Sequence, residues 1–469
     1  MTQVSVKIIA KKWSCEERQV TRWCREGRIL GAERVGKEWL LPEDSIKPTD
    51  KRTKEANIKN KVESIPSDTK YDAVNGKEHV IVSFTNKYHR QPTSVSFTPY
   101  RICPLGAHVD HNLGKITGFA LDKGIYMAYG PKMNGIIEIS SLQFSKRAQW
   151  FVGNTPEDKE NDWADHLRGA TIALNERYPL RIGMSAVLDG ELPIGGLSSS
   201  AAVIITFLHA LCKLNNIRLH HEEFITIAQE AERKYVGVSC GRLDQSCEIY
   251  CRKDNLLYMD MKDLSHINIP TNPNMKDYEF AIFFSGLEHN LASSKYNMRV
   301  DELKSAAYAI KAFAGMEYGK FSDTTMRDVP YETYLKYKDR LPENWRKRAD
   351  HWYSECDRVE KGAKAWEEGD LDTFGKLVFE SGYSSIHSYE TGSLELKELY
   401  EIMTRTKGIY GGRFSGAGFK GCCIAIIDPK YEKEILENVK KEYCKAFPQL
   451  ADKYCAFICH TADGVHLSK

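Results

Sequence analysis

The chain has 469 residues, of which 42% are hydrophobic and 28% are charged, as in an ordinary globular protein. A chain of this length is too long for a single hydrophobic core, so we expect two or three domains. The formal net charge of +2 excludes a surface built throughout to attract nucleic acid or an acidic membrane. The sequence contains no run of about 20 apolar residues, and we therefore expect no membrane-spanning helix.

The front of the chain differs from the rest in charge. Residues 1–61 carry 15 Lys and Arg against 9 Asp and Glu, a net charge of +6, which leaves −4 for the remainder. Two helices are predicted there, at Val4 to Trp13 and at Glu16 to Gly27, followed by a β-hairpin from Arg34 to Leu41. We therefore expect a separate module at residues 1–52, and the polar, charged residues 53–74 predict a linker.

The cysteines indicate the redox compartment. The 13 cysteines include no repeated CxxC pair, and Cys455, Cys459 and His460 come nearest to a ligand cluster without supplying four good metal ligands. We expect reduced thiols in a cytoplasmic protein. Residues 1–12 alternate polar and apolar side chains, which predicts no secretory leader.

The remaining chain mixes helices and strands without simple alternation, which predicts an α+β fold. The elements are expected in the following order: helix 77–91, a strand up to Cys103, strands 117–129 and 135–141, helix 162–176, strand 182–189, helices 201–214 and 221–236, strand 279–285, helices 298–314 and 344–367, a glycine-rich turn at 411–421, strand 422–427 and helix 430–445.

A glycine- and serine-rich loop precedes the helix at 201–214 and has the features of a phosphate-binding loop. Glycines allow a ligand to approach the backbone closely, and a helix start presents free N–H groups and the positive end of its dipole. Serine hydroxyls suit Mg²⁺, so Ser199 and Ser200 are candidate metal ligands. The loop lacks the lysine of a GxxxxGK[ST] loop, and taken alone it is equally well explained as a serine-capped core helix. The candidate ATP-binding residues are Pro193, Gly195, Gly196, Leu197, Ser198, Ser199, Ser200 and Ala201.

Three separated segments together resemble the three motifs of the GHMP kinase superfamily, which includes galactokinase, homoserine kinase and mevalonate kinase. They are Arg101 to Gly114, the serine loop, and Gly411 to Cys422, and the resemblance covers about residues 75–465. The third segment contains a GxGxxG string, but the string leads into a strand, whereas a dinucleotide-binding fingerprint opens a helix. The resemblance implies a two-domain kinase, with domains at 75–270 and 271–469, that uses ATP and Mg²⁺.

Further likeness is to the galactokinase branch, and within it to galacturonokinases. Cys240 to Ser246 resembles the segment with the catalytic aspartate, here Asp244; Leu291 to Arg299 resembles the sugar-contacting segment, here Tyr296; and Ser384 to Gly392 is similar to galacturonokinases. The resemblance implies a sugar kinase acting at O1, with Asp244 as the base and Arg101 beside it. The other implied sugar-site residues are Ala107, His108, Asp110 and Asp244 itself, with an active-site glycine turn at Ser415, Gly416, Ala417 and Gly418.

One departure from the family pattern favours an acidic sugar. Galactokinases have Gly-Glu-His-x-Asp where this chain has Gly106 to Asp110 with Ala107 in the second position, and the family's glutamate contacts the sugar 6-hydroxyl. A carboxylate there would repel a substrate whose C6 is itself a carboxylate, by several kcal/mol in order of magnitude. Galacturonic acid is therefore the expected substrate, with Lys295 as a candidate partner for its carboxylate. Galactose as substrate, a sugar-sensing DNA-binding regulator, and another GHMP activity such as that of mevalonate kinase remain the alternatives.

The front module resembles the winged helix-turn-helix of excisionases and MerR-type regulators. The resemblance implies DNA as a partner, read by the helix at 16–26 through Arg18, Arg22 and Arg25, with Lys37 at the hairpin tip touching phosphates. The alternative is an interaction or oligomerisation module that binds no DNA, because a monomeric module this small binds DNA weakly.

Overall fold

The computed structural model describes residues 3–25, 29, 32–36, 38–43, 45, 47, 76–287 and 292–465. The chain divides into two units, Met1–Ala73 and Val74–Lys469. The predicted linker at 53–74 lies outside the described residues, as does Lys37. Among the helices of the described ranges, none is both long and apolar enough to cross a membrane.

The described residues of the first unit form a three-stranded antiparallel sheet and two short helices. Its elements are β1 (Gln3–Ser5), α1 (Val6–Lys12), α2 (Glu17–Arg25), β2 (Glu33–Val35) and β3 (Glu38–Pro42), with strand order β1-β3-β2. The predicted order of two helices and a hairpin is present, but the expected helix start at Val4 is wrong. Val4 lies in β1, opposite Leu41, because pairing with β3 satisfies its backbone groups. Ile9, Val20 and Trp23 are buried in the core between the helices and the sheet.

The second unit begins with an eight-stranded sheet that is antiparallel except where β6 pairs with β8. Its strands are β4 (Ser94–Ile102), β5 (Lys115–Lys132), β6 (Ile136–Ser141), β7 (Ala148–Phe151), β8 (Gly183–Gly190), β9 (Asn255–Asp260) and β10 (His266–Pro270), joined near the end of the chain by Thr461–Ala462. The helices of this part are α3 (Gly76–Tyr88), α4 (Asp165–Asn175), α5 (Ser199–Leu214), α6 (His221–Glu230) and α7 (Leu243–Tyr250). The order of the main sheet is β10-β9-β5-β8-β6-β7, with β4 paired to β5.

The rest of this unit is built on a four-stranded antiparallel sheet. Its strands are β11 (Glu279–Phe284), β12 (Ile409–Phe414), β13 (Cys422–Ile427) and β14 (Cys455–Cys459), in the order β12-β13-β11-β14, and β15 is Thr461–Ala462. Its helices are α8 (Ala292–Phe313), α9 (Tyr331–Tyr337), α10 (Glu343–Glu368), α11 (Leu371–His387), α12 (Leu394–Arg405) and α13 (Glu432–Ala446). These mainly antiparallel sheets agree with the predicted α+β class.

Two local predictions are corrected. The helix expected at 221–236 ends as an α-helix at Glu230 and continues as a π-helical segment, Ala231–Val236. The glycine-rich turn expected at 411–421 begins only at Ser415, because Gly411 lies in β12. A Cβ atom on Gly411 would lie 2.2 Å from the Gly375 carbonyl oxygen of α11, so glycine is needed there for close strand–helix packing.

Candidate active site

The serine loop contains three residues with positive φ, a backbone conformation that favours glycine. Gly195 and Gly196 have φ values of 125° and 86°, and Ser198 has a φ of 63°. A Cβ atom on Gly196 would lie 2.6 Å from the Cys422 sulfur, so a side chain there would collide with β13. The serine-cap interpretation is wrong, because Ser198 occupies the N-cap of α5 without a side-chain capping bond. The amides that open α5 therefore remain available to an anion.

Arg101 and Asp244 meet beside this loop. The Arg101 Nε atom donates to Asp244 Oδ1 at 2.8 Å, and Arg101 NH1 donates to the Gly196 carbonyl oxygen at 3.3 Å. Arg101 is buried, whereas the Asp244 side chain keeps 29% of its surface exposed. Burial lowers the pKa of Arg101, but the adjacent Asp244 carboxylate outweighs burial and raises it above its ordinary value. A permanent cation and an accessible carboxylate therefore share one cleft with the loop.

Two local features of the fold aim these side chains. The pairing of β4 with β5 shifts register between Pro99 and Arg101, and such a bulge redirects the following side chain. Asp244 lies in the first turn of α7, where a carboxylate is favoured by the helix dipole. The two residues are 143 positions apart in the chain, so only the fold brings them together.

Asp110 lies against the start of α7. Its Oδ2 atom accepts from the Leu243 amide at 3.2 Å, and a Cβ atom on Gly241 would lie 2.0 Å from the same oxygen. Burial, followed by the negative charge of Asp244, raises the pKa of Asp110 to about 6. The half-buried Tyr296 has its pKa raised by desolvation and then by Asp110, which places its hydroxyl near the same carboxylates. Asp110, Asp244 and Tyr296 are thus brought into one neighbourhood.

His108 adds an imidazole to this neighbourhood. Its ring stacks on Tyr389 with centroids 4.5 Å apart and planes 10° apart. Its Nε2 atom is buried and has no hydrogen-bond partner within the ranges that the structure describes. Burial, followed by the positive charge of Arg413, lowers the pKa of His108 well below its ordinary value, so the imidazole is neutral. A neutral, unpartnered ring nitrogen suits a sugar hydroxyl.

Ala107 is held by groups that the sequence patterns did not identify. Glu355 accepts from the amides of Gly106 at 2.8 Å and Ala107 at 3.3 Å, and His351 Nε2 donates to the Ala107 carbonyl oxygen at 3.0 Å. Burial acts to raise the pKa of Glu355, but Arg358, His351 and Arg413 outweigh it and hold this pKa at about 2. His351 and Glu355 are spaced i, i+4 on α10, which puts both on one helix face and is the pattern that could have revealed them.

The glycine turn faces the serine loop. A Cβ atom on Gly416 would lie 3.1 Å from Gly196 Cα, and one on Gly421 would lie 2.5 Å from the Gly195 carbonyl carbon. Ser415 is buried, and its amide donates to the Cys422 carbonyl oxygen at 3.0 Å. The second and third motifs are therefore in backbone contact.

A buried carboxylate accompanies the candidate metal ligands. Glu232, in the π-helical segment, lies close to the Ser200 side chain, and its Oε2 atom accepts from Gln245 at 2.7 Å. Burial and then the charge of Asp244 raise the pKa of Glu232 to about 7. The described ranges contain no cluster of three His, Cys, Asp or Glu residues suited to a metal. A cation here would depend on hydroxyl and carboxylate oxygens, the donor set that Mg²⁺ prefers.

The remaining candidates are exposed wherever the structure describes their side chains. Arg18 is exposed and paired with Glu16, and Arg22 is exposed on α2. The side chain of Arg25 lies outside the described residues, and Lys295 is exposed near the start of α8.

Two regions of the second unit match models of one protein family. Residues 165–252 match the model of the GHMP kinases N terminal domain, and residues 363–446 match that of the GHMP kinases C terminal region. A galacturonokinase of Arabidopsis thaliana is 35% identical over 397 residues, covering 80% of this chain and 93% of the relative. A galactokinase of Roseiflexus sp. (strain RS-1) is 29% identical over 385 residues, covering 81% of this chain and 95% of the relative.

Among solved structures, Lactococcus lactis galactokinase complexed with galactose shares the fold. Its TM-score is 0.75 at 24% identity, covering 83% of this chain and 98% of that one. The family of this chain follows from the identity and coverage of the Arabidopsis relative, together with the two matched family regions. The protein belongs to the GHMP kinase family, in its galactokinase branch.

Proposed function

We propose that this protein transfers the γ-phosphoryl group of ATP to the O1 hydroxyl of galacturonic acid, giving galacturonate 1-phosphate and ADP. The observation that carries the proposal is the Arg101–Asp244 pair, whose guanidinium also contacts the Gly196 carbonyl of the serine loop. A base and a phosphate-binding loop in one cleft are the minimum that phosphoryl transfer to a hydroxyl needs.

In the proposed reaction a bond forms between O1 and the γ-phosphorus while the bond from that phosphorus to the β,γ-bridging oxygen breaks. ADP leaves with the bonding electrons, and the O1 proton passes to the Asp244 carboxylate. Arg101 orients the Asp244 carboxylate through their hydrogen bond and offsets negative charge on the moving group. The free amides at the start of α5 hold the phosphates. Ser200 and Glu232 are suited to hold Mg²⁺, which would neutralise phosphate charge when bound.

On the sugar side, His108, Asp110 and Tyr296 are proposed to bind hydroxyl groups. Ala107 places no charge opposite C6, and this supports a uronic acid over galactose. The name of the 35% identical Arabidopsis relative supports the same substrate. Galactose is the second candidate, because similar relatives are named galactokinases.

A substrate screen tests this proposal. Purified protein with MgATP should release ADP with galacturonate, and kcat/KM for galacturonate should exceed that for galactose, glucuronate and N-acetylgalactosamine. A higher kcat/KM for galactose would favour the second candidate. If none of the four sugars stimulates ADP release, the kinase proposal is wrong and the sugar-sensing alternative gains.

We also propose that the first unit binds DNA through α2. The support is the net positive charge of the front segment and the exposure of Arg18 and Arg22 on one helix. The full-length chain should retard duplex DNA at low salt, and the affinity should fall as salt rises. The double variant Arg18→Ala/Arg22→Ala should weaken binding and flatten the salt slope by about 1 per lost phosphate contact. Lys433→Ala, an exposed change in the second unit, is the control, and absence of retardation at low salt would favour an interaction module.

A further inference from the structure

Lys420 is a half-buried cation in the glycine turn that has no ion-pair partner among the residues that the structure describes. It makes no hydrogen bond or ion pair with any residue in the described part of the chain. Burial lowers the pKa of its ammonium group. Removing a charge partly from water without a partner costs free energy. We therefore expect this lysine to bind an anionic ligand when the protein functions.

The backbone beside Lys420 is fixed against the serine loop. Gly421 touches Gly195, where a Cβ atom would lie 2.5 Å from the Gly195 carbonyl carbon. The Gly421 carbonyl oxygen accepts from both the amide and the hydroxyl of Ser285 at 2.9 Å. Lys420 directly precedes Gly421, the residue that contacts the loop proposed to hold the phosphates. Its flexible four-carbon side chain therefore begins close to that loop.

Three arginines near the cleft are bonded to protein groups. Arg101 is bound to Asp244, and Arg358 is bound to Glu355. Arg413 donates to the hydroxyls of Ser381 and Ser385 and lies 3.6 Å from Glu355. The serine loop itself carries no lysine, unlike a GxxxxGK[ST] loop. Lys420 belongs to the turn that faces this loop, so its ammonium group can supply the positive charge that the lysine of a GxxxxGK[ST] loop supplies.

We propose that Lys420 binds the terminal phosphate of ATP and stabilises negative charge on that group during its transfer. The proposal rests on the proposed kinase function. The ammonium donates N–H bonds to non-bridging phosphate oxygens and acts as a point charge, and no proton leaves the lysine. Because the contact strengthens as charge redistributes in the transition state, it acts mainly on kcat.

The kinetic test compares three variants. Lys420→Met keeps an apolar stem but removes the charge, Lys420→Arg keeps the charge, and Lys440→Met removes an exposed charge from α13 as the control. Lys420→Met should lower kcat on the order of 100-fold and leave KM for galacturonate unchanged. Lys420→Arg should recover most of the loss, and Lys440→Met should behave as wild type. Unchanged kcat in a folded Lys420→Met protein overturns the proposal.

A binding measurement separates this proposal from the kinase proposal. In calorimetry without sugar, Lys420→Met should weaken the binding of ATP by tenfold or more. The binding of AMP, which lacks the two outer phosphates, should be unaffected. Equal loss for AMP and ATP contradicts a terminal-phosphate contact. A rise in KM confined to galacturonate and absent for galactose would instead assign Lys420 to the sugar carboxylate. If wild type phosphorylates no sugar but the ATP-specific loss is found, the phosphate contact stands and the kinase proposal fails.

Discussion

Replacing Asp244 with asparagine should lower kcat by about 10²- to 10⁴-fold while leaving the protein folded. Asparagine has the same shape but does not take up the O1 proton. Its amide oxygen still accepts from Arg101, and Arg101 keeps its bond to the Gly196 carbonyl oxygen, so the cleft retains its form. Losing the negative partner of a buried arginine should lower the melting temperature moderately, because the Asp244 side chain is only partly desolvated.

The measurement is kcat by coupled ADP release, with circular dichroism and thermal unfolding on the same samples. Asp452→Asn, an exposed change at the surface, is the matched control and should leave kcat unaltered. A folded Asp244→Asn protein with near-normal kcat would remove Asp244 from the role of base.

Replacing Ala107 with glutamate should reverse the sugar preference. Two unit charges about 4 Å apart repel by about 4 kcal/mol at an effective dielectric of about 20, so galacturonate binding suffers strongly while galactose binding does not. Ala107 is already bonded to the Glu355 carboxylate through its amide at 3.3 Å, so a second carboxylate there also increases local negative charge. We expect kcat/KM for galacturonate to fall on the order of 1,000-fold. The ratio of kcat/KM for galactose to kcat/KM for galacturonate should rise by a similar factor.

Ala107→Gln separates charge from volume, because glutamine has the size of glutamate without its charge. This variant should lose much less galacturonate activity than Ala107→Glu. Equal losses in the two variants would attribute the selectivity to space alone, and unchanged kinetics in Ala107→Glu would remove position 107 from substrate selection.

The contiguous parts of the site were accessible from the sequence. The serine loop and the glycine turn each carry their chemistry within about ten residues, so their residue types predict a phosphate site and a close backbone approach. The pairing of Arg101 with Asp244 came from family resemblance, because no local periodicity links residues on a strand end and a short helix. The eight-residue α7 is too short to show a helical repeat, and it was not predicted.

The supporting residues were harder to find because their partners are distant in the chain. Glu355 is 249 residues from Gly106 in the chain. Tyr389, which stacks on His108, lies just after the end of α11 and is also distant from its partner in the chain. Glu232 lies where an α-helix gives way to a π-helical segment, a change that apolar spacing does not encode. The capping role expected for Ser198 failed because its left-handed backbone turns the hydroxyl away from the helix amides.

Phosphorus NMR of wild-type protein with MgATP and galacturonate tests the proposed activity most directly. We predict a new phosphomonoester resonance, split by the anomeric proton, that grows as ADP forms and is absent with Asp244→Asn. ATP that stays intact, or a phosphomonoester coupled to a proton other than the anomeric one, would contradict transfer to O1 by this cleft.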